Sequence, residues 1–342
     1  MRAVVIPRHG PPEVLEVQDR PDPPVGPGQL RIAVKAAGIN FADLLARAGA
    51  YPDAPPAPCV VGYEVAGEVE SVGEDVEDYE VGQRVMGGTR FGGHAELVTV
   101  PVGQVLPLPE RFTYEQGAAF PVNYATAYAG LVIMGGLKSG ERVLIHAAAG
   151  GVGIAAIQVA KGVGAEILGT ASASKHDAIR EQGVEHPIDY RTQDFEAEVR
   201  RITGDEGIDV AFDALGPKSF RKDYRLLRDG GRLIMYGYIE GESAGGRNVP
   251  ALLEVLARMP FATIPWWKSL AVMNENKGVF GLNMLKWWDR EGLDRVLDPL
   301  REAVERGEYE PVVAEAFAFE RAADAHRMIA ERRNVGKVVL TP

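Results

Sequence analysis

One segment of this sequence indicates its fold class, Arg142-Val143-Leu144-Ile145-His146-Ala147-Ala148-Ala149-Gly150-Gly151-Val152-Gly153. Its apolar start predicts a buried strand, and Ile154 to Val163 after it predicts a helix. A glycine-rich turn between strand and helix lets backbone N–H groups approach a pyrophosphate, whose charge the helix dipole favours. Ala148 replaces the first glycine of the usual G-x-G-x-x-G pattern. The context still indicates dinucleotide binding, the alternative being a turn that only tightens the βαβ unit.

After this turn, strands and helices alternate as in a parallel α/β domain. The predicted elements are a strand at Glu166 to Thr170, a helix at Lys175 to Gln182, a strand at Ile208 to Asp213 and a strand at Arg232 to Tyr236 after a Gly230-Gly231 turn.

The end of the second strand indicates which dinucleotide binds. An NAD site normally has Asp or Glu there to bind the ribose 2′-hydroxyl. Here the strand runs into Ser172, Ser174 and Lys175. Hydroxyls and a cation can donate to a 2′-phosphate, which a carboxylate would repel. NADPH is therefore favoured, although Lys175 is also an ordinary residue for the solvated start of a helix.

The first third of the chain has a different texture, with Pro- and Gly-bounded β-prone runs that predict a barrel-like β region. These runs are Met1 to Pro7, Leu30 to Ala36, Gly67 to Gly73 and Gly82 to Gly87. Glu115 to Val132 is Ala-rich and predicts a helix broken at Pro121. Near the other end, Asp289 to Arg306 predicts a helix and Lys337 to Leu340 a closing strand.

Composition excludes several classes of protein. The 342 residues suit two domains, and a net charge of −11 argues against a nucleic-acid surface. The single cysteine, Cys59, excludes an internal disulfide and a Cys-rich zinc site, which favours a reducing, cytoplasmic setting. The N-terminus lacks the apolar core of a signal peptide, and no run of about 18 apolar residues predicts a membrane span.

Several longer strings resemble the zinc-free quinone oxidoreductases of the medium-chain dehydrogenase/reductase superfamily. They are Gly38 to Asp43, Gly62 to Gly67, the turn above, and Asn334 to Leu340. More narrowly, Pro121 to Tyr128, Gly169 to His176 and Gly183 to Tyr190 are similar to the branch of the vesicle amine transport protein homologue. The resemblance implies a GroES-like catalytic domain, residues 1–124 and 290–342, with a Rossmann domain, residues 125–289, inserted as a doubly wound parallel sheet.

The resemblance also implies roles for single residues around a cofactor in the cleft. Lys175 and Tyr190 match residues that hold the 2′-phosphate, and Thr126 matches one near the nicotinamide half. The backbone of Gly150, Gly151, Val152 and Gly153 would hold the pyrophosphate. Asn334 and Lys337 match C-terminal residues that approach the cofactor. Tyr190 has the alternative of ending a strand, and Lys337 that of a plain surface residue.

Zinc-dependent relatives have Cys where Asn40 stands and His where Tyr63 stands. Asn and Tyr are poor zinc ligands, and the six histidines show no ligand spacing. No metal is therefore expected. Without a Lewis acid, quinones and α,β-unsaturated carbonyls are the easier substrates, because hydride attack spreads charge into an enolate or phenolate.

Two side chains are the candidates for binding the substrate oxygen. Asn40 and Tyr51 are predicted to bind it, and Tyr51 is the candidate proton donor. Tyr63 and Asn123 are predicted to line the pocket. Asp43 either orients Asn40 or a water, or caps the helix that begins there.

Two functions follow, a zinc-independent NADPH-dependent reductase of quinones or enones, or an NADPH-binding interaction or membrane-associated protein with vestigial activity. Residues 250–290 separate them, since they carry the pairs Trp266-Trp267 and Trp287-Trp288. These tryptophans suit a membrane interface, a subunit interface or a pocket lid. The β-prone segment Gly278 to Asn283 predicts a homodimer paired through the last Rossmann strand.

Overall fold

The computed structural model describes residues 1–239, 273–288 and 292–342. The described chain forms two compact units, which part within a helix at Asn123 and Tyr124. The first unit holds residues 1–123 and those from 285 onward, and the second holds residues 124–239 and 273–284.

Strands dominate the first unit, and strands and helices alternate in the second. The strands are β1 Arg2–Val5, β2 Glu16–Asp19, β3 Gln29–Ile39, β4 Glu64–Val72, β5 Arg84–Gly88, β6 Leu97–Pro101, β7 Val105–Pro107, β8 Arg142–Ile145, β9 Glu166–Ala171, β10 His186–Asp189, β11 Ile208–Asp213, β12 Leu227–Met235, β13 Gly278–Gly281, β14 Val313–Ala318 and β15 Lys337–Thr341. The helices are α1 Phe41–Ala48, α2 Tyr114–Ala118, α3 Pro121–Tyr128, α4 Gly151–Val163, α5 His176–Gln182, α6 Phe195–Thr203, α7 Pro217–Leu226, α8 Met284–Trp288, α9 Asp294–Glu305 and α10 Ala322–Ala330.

The main sheet of the first unit has the order β14-β15-β3-β4-β5-β7, with β6 also paired to β3. Its pairings are antiparallel except that of β14 with β15. Leu30, Ile32 and Val34 alternate along β3 and pack into one apolar core, as expected for a half-buried strand. The pairing of Val338 with Ile39 matters most for function, because it brings the last strand of the chain beside the end of β3.

The described strands of the second unit form a six-stranded sheet in the order β10-β9-β8-β11-β12-β13, with every pairing parallel. Its central strands carry short apolar runs, Val143 to Ile145 in β8 and Val210 to Phe212 in β11, as expected where helices cover both faces of a sheet. Leu144, Leu168, Ala211 and Leu233 form one core from four neighbouring strands. The carboxyl ends of these strands therefore share one edge, where ligands bind in open α/β sheets.

Several predicted boundaries differ from the structure, and three of these differences occur at glycines or at the start of a helix. The helix predicted from Asp289 begins at Asp294, because Gly292 has a left-handed φ of 96° and a turn precedes the helix; residues 289–291 lie outside the described chain. β12 begins at Leu227, but its regular pairing with both neighbours starts at Arg232, after an irregular stretch that contains Gly230 and Gly231. Lys175 ends a 3-10 turn ahead of α5.

The structure describes two of the four tryptophans, Trp287 and Trp288. Trp266 and Trp267 lie outside the described residues. Trp287 is half-buried, and Trp288 is buried against Gly88 of β5, where a Cβ would meet its ring at 1.7 Å. Trp288 thus packs the interior of the first unit. No helix in the described part of the chain has the length and apolar character needed to cross a membrane.

Candidate active site

The glycine turn between β8 and α4 has the shape of a phosphate cradle. Ala147 takes a left-handed φ of 49°, and Gly150 caps α4, whose first residue is Gly151. A Cβ on Gly153 would lie 2.3 Å from the carbonyl oxygen of Ala147, so only glycine lets helix and turn approach this closely. The backbone N–H groups at the start of a 13-residue helix are left for an anion. The turn therefore fits the pyrophosphate of a dinucleotide.

Four predicted 2′-phosphate residues come together at the same edge of the sheet. Asp189 of β10 pairs with Ala171 of β9, which sets Tyr190 beside Ser172. The hydroxyl oxygens of Ser172 and Ser174 are 3.4 Å apart, and Lys175 follows directly. Tyr190 is 37% exposed, so its ring is open to a ligand.

Asp189 is a carboxylate at this edge that sequence reasoning did not weigh. Its oxygens accept from the Thr192 hydroxyl at 2.8 Å and from the Arg191 N–H at 3.1 Å. These hydrogen bonds hold the pKa of Asp189 below its usual value, and the one from Thr192 contributes most. The carboxylate thus closes the turn after β10.

Asn40 belongs to a buried network that joins distant parts of the first unit. Its Oδ1 accepts from Lys337 Nζ at 2.6 Å, and its Nδ2 donates to Glu64 Oε1 at 3.0 Å. Lys337 forms a short ion pair with Glu64 and donates to Asn123 Oδ1 at 3.3 Å. The other oxygen of Glu64 accepts from the Val122 N–H at 2.7 Å. β3, β4, α3 and β15 therefore meet at one polar point.

Lys337 is 3% exposed, so the alternative of a plain surface residue is wrong. Glu64 is 0% exposed, and sequence reasoning missed it as a site residue although it stands in a motif that was recognised. Asn123 is buried, and its Nδ2 donates to the Ala119 carbonyl at 2.9 Å. Asn334 is half-buried ahead of β15 and donates to the Gly336 carbonyl at 2.8 Å.

Asp43 lies in the first turn of α1 and combines its two predicted roles. Its Oδ2 accepts from the backbone N–H of Asn40 at 2.7 Å, as in a capping box, and its Oδ1 accepts from that of Gly62 at 3.0 Å. Burial raises the pKa of the Asp43 carboxyl, although nearby His94 opposes this. Asp43 thus fixes the backbone on both sides of the site.

Tyr51, Tyr63 and Phe91 form an aromatic cluster. The rings of Tyr51 and Tyr63 meet edge to face at 6.3 Å, and Phe91 lies 5.4 Å from Tyr63. The Tyr63 hydroxyl is buried and has no hydrogen-bond partner among the described residues. Burial raises the pKa of the Tyr63 phenol, so it stays a neutral donor. Tyr51 is half-buried and follows α1. Thr126 is buried in α3, within the second unit.

The donor set at Asn40 does not suit zinc, since an amide held by a lysine and a phenol replace thiolate and imidazole. Within residues 1–239, 273–288 and 292–342, one group could hold a metal, namely His146, Asp213 and Asp223 in the second unit. There His146 Nε2 lies 2.9 Å from Asp223 Oδ1, and Nδ1 lies 3.1 Å from the Thr170 hydroxyl. Both distances are those of hydrogen bonds, so this group is a buried polar network.

Comparison with known proteins agrees with this geometry. The family model described as a zinc-binding dehydrogenase matches residues 182–340, and that of the alcohol dehydrogenase GroES-like domain matches residues 26–110. The synaptic vesicle membrane protein VAT-1 homolog of Homo sapiens is 40% identical over 352 residues, covering 100% of this chain and 86% of that protein.

Two solved structures are similar over the whole chain. The quinone oxidoreductase of Escherichia coli complexed with NADPH has a TM-score of 0.85 at 27% identity, covering 100% of both chains. The CurK enoyl reductase has the same TM-score and identity and covers 99% of this chain and 98% of its own. The predicted architecture, a GroES-like domain with a Rossmann domain, is confirmed. The chain belongs to the quinone-oxidoreductase-like family of medium-chain dehydrogenases/reductases, near the VAT-1 homologues.

Proposed function

We propose that this oxidoreductase is a zinc-independent, NADPH-dependent reductase of quinones or α,β-unsaturated carbonyls. The observation that carries the proposal is Asn40, which occupies the place of a zinc ligand and is held by Lys337 and Glu64 instead. The similar structures named as a quinone oxidoreductase and an enoyl reductase support this substrate class. A conjugated carbonyl suits a site of hydrogen-bond donors, since its charge is dispersed as it is reduced.

The cofactor would be held by groups that the second unit already presents. The N–H groups of the Gly150–Gly153 turn and the α4 dipole would bind the pyrophosphate. Ser172, Ser174, Lys175 and Tyr190 would bind the 2′-phosphate, and Thr126 would lie near the nicotinamide half. Asn334, which belongs to the first unit, would approach the cofactor. Bound NADPH would supply the hydride. The ammonium of Lys337 already has three acceptors, which leaves it less free for the cofactor.

The first unit would hold the carbonyl oxygen. Asn40 and Tyr51 would donate hydrogen bonds to it, and Tyr51 would supply the proton that completes reduction. Tyr63 would line the pocket as a neutral phenol, while Asp43 would keep the Asn40 backbone in place. The expected setting is the reducing cytoplasm, which the single cysteine favours.

The test is an NADPH-oxidation screen across ortho- and para-quinones, 2-alkenals and alkenones, with and without a chelator. We expect turnover of at least one class, unchanged by the chelator, and no stoichiometric zinc by elemental analysis. Stoichiometric zinc that leaves together with activity would refute zinc independence. If no quinone or enone is reduced, an NADPH-binding interaction protein becomes the better proposal.

We also propose a homodimer paired through β13. Among the described strands, β13 forms the outer edge of the parallel sheet, and its Phe280 is 37% exposed. Two-fold pairing of identical edges would satisfy their backbone groups and cover this ring. Light scattering at micromolar concentration should give twice the chain mass of 36.9 kDa, and a monomer there would contradict the proposal.

A further inference from the structure

The amide of Asn40 has two faces of nearly equal shape and opposite chemistry. Its Oδ1 accepts hydrogen bonds and its Nδ2 donates them, so a half-turn of the amide would exchange the two. Substrate recognition depends on which of them meets a bound oxygen. A carbonyl oxygen needs the N–H, whereas a hydroxyl can also use the C=O.

The partners of this amide permit a single orientation. The Lys337 ammonium has only donors, so the atom 2.6 Å from it must be the acceptor Oδ1. The Glu64 carboxylate, paired with Lys337, accepts, so the atom 3.0 Å from it must be the donor Nδ2. A flipped amide would place two donors together and two acceptors together in a buried place.

The pair is itself firmly held. Glu64 also accepts from the Val122 N–H, and Lys337 also donates to Asn123 Oδ1. A Cβ on Gly38 would lie 2.7 Å from both the Glu64 and Lys337 side chains, so the backbone of β3 packs closely against the pair. Asn40 itself is half-buried, and among the described residues no acceptor meets the second N–H of its Nδ2.

We propose that Glu64 and Lys337 are positioning residues that make Asn40 an obligatory hydrogen-bond donor, so that the site selects an oxidised carbonyl over the corresponding hydroxyl. This inference rests on the proposed function. It adds the polarity of recognition: a quinone is bound through its carbonyl oxygen, and its quinol product is released because a phenolic oxygen is a weaker hydrogen-bond acceptor than a carbonyl oxygen.

The test compares Glu64→Gln/Lys337→Met with the parent. An unpaired buried ion would destabilise the protein, and removing both charges together leaves none. The probes are tetramethyl-1,4-benzoquinone and its quinol, titrated anaerobically by calorimetry without NADPH. The parent should favour the quinone about tenfold, the worth of one hydrogen bond, and the variant about twofold or less. A matched control is Glu141→Gln/Arg232→Met, a pair in which each side chain is 16% exposed, in the second unit. It should keep the parental preference.

A kinetic cycle separates positioning from plain structural support. The double change should lower kcat about tenfold in the parent but less than twofold in an Asn40→Ala background, since coupled residues are not additive. An equal loss in both backgrounds overturns the inference. If the double variant does not fold, Glu64→Gln/Lys337→Gln, which also leaves no buried charge and keeps hydrogen-bonding groups at both positions, should narrow the quinone preference about threefold in the same direction.

The outcomes for the inference and for the proposed function are distinct. A parent that binds both probes equally, or neither, overturns the inference, as does a variant with unchanged preference. A parent that prefers the quinone yet oxidises no NADPH leaves the inference standing and refutes the proposed reductase.

Discussion

The glycine turn of the second unit and the Asn40 network of the first unit are built from different parts of the chain. The turn from Ala147 to Gly153 is backbone, and its chemistry comes from N–H groups and the clearance that glycine provides. The Asn40 network is made of side chains from four segments, with Lys337 297 positions after Asn40. A site made of backbone groups loses its binding geometry when the course of the main chain changes. A site made of side chains changes when one functional group is replaced.

The largest effect should follow a change of backbone clearance. Gly153→Ala places a methyl group 2.3 Å from the Ala147 carbonyl oxygen, so the turn must open. NADPH affinity, measured by fluorescence titration, should fall by at least about a hundredfold, because several N–H groups lose their alignment together.

Gly162→Ala is the control within the same helix, since nothing lies within 4 Å of its added Cβ. It should leave NADPH affinity unchanged and stabilise the helix by about 0.5–1 kcal/mol. If both variants bind NADPH like the parent, the turn is not the cofactor site.

A smaller effect is expected for a side chain of the first unit, Tyr51. Tyr51→Phe removes one donor and leaves the ring beside Tyr63. The values of kcat and kcat/KM for a quinone should fall together by about ten- to a hundredfold, since the hydrogen bond matters mainly in the transition state. NADPH affinity should be unchanged. Parental turnover by this variant would remove Tyr51 from the mechanism.

This contrast also explains what the sequence could reveal. The turn was predicted correctly because strand, glycines and helix are contiguous, and β3, β4, β8 and β9 followed from local periodicity. Glu64 was missed because its meaning depends on Lys337, which arrives only through the pairing of β15 with β3. The start of α9 was missed for a local reason, since helical periodicity does not register the left-handed Gly292.

A third group lies at the carboxyl ends of β9 and β10 and is intermediate between the turn and the Asn40 network. It consists of side chains, but nearby strand ends place them: Ser172, Ser174, Lys175 and Tyr190. Lys175→Ala removes a cation and leaves the turn intact. NADPH affinity should fall by at least about tenfold while NADH affinity hardly changes, as expected for one charge-assisted hydrogen bond to a phosphate. A parent that binds both cofactors equally would contradict this assignment.

The smallest predicted effect concerns the buried network of His146, which directly precedes the turn. Burial raises the pKa of Asp223 from 3.8 to about 7, because it penalises the charged carboxylate. The folded protein therefore prefers the protonated acid. This preference contributes stability that is fully present below about pH 4 and is lost as the pH rises through about 7.

Asp223→Asn keeps an oxygen for His146 Nε2 and removes the ionisation. Its free energy of unfolding in urea, relative to the parent, should rise between pH 4.5 and pH 8 by at least about 1 kcal/mol, the equivalent of under one pKa unit. Asp177→Asn, whose side chain is 94% exposed on α5, should show no such trend. NADPH affinity at pH 8 should stay parental, because the turn binds through backbone that this carboxyl does not supply. A parallel change in stability and affinity would show that the glycine turn depends on the side chains of the His146 network. The contrast between the backbone turn and the Asn40 side-chain network would then fail.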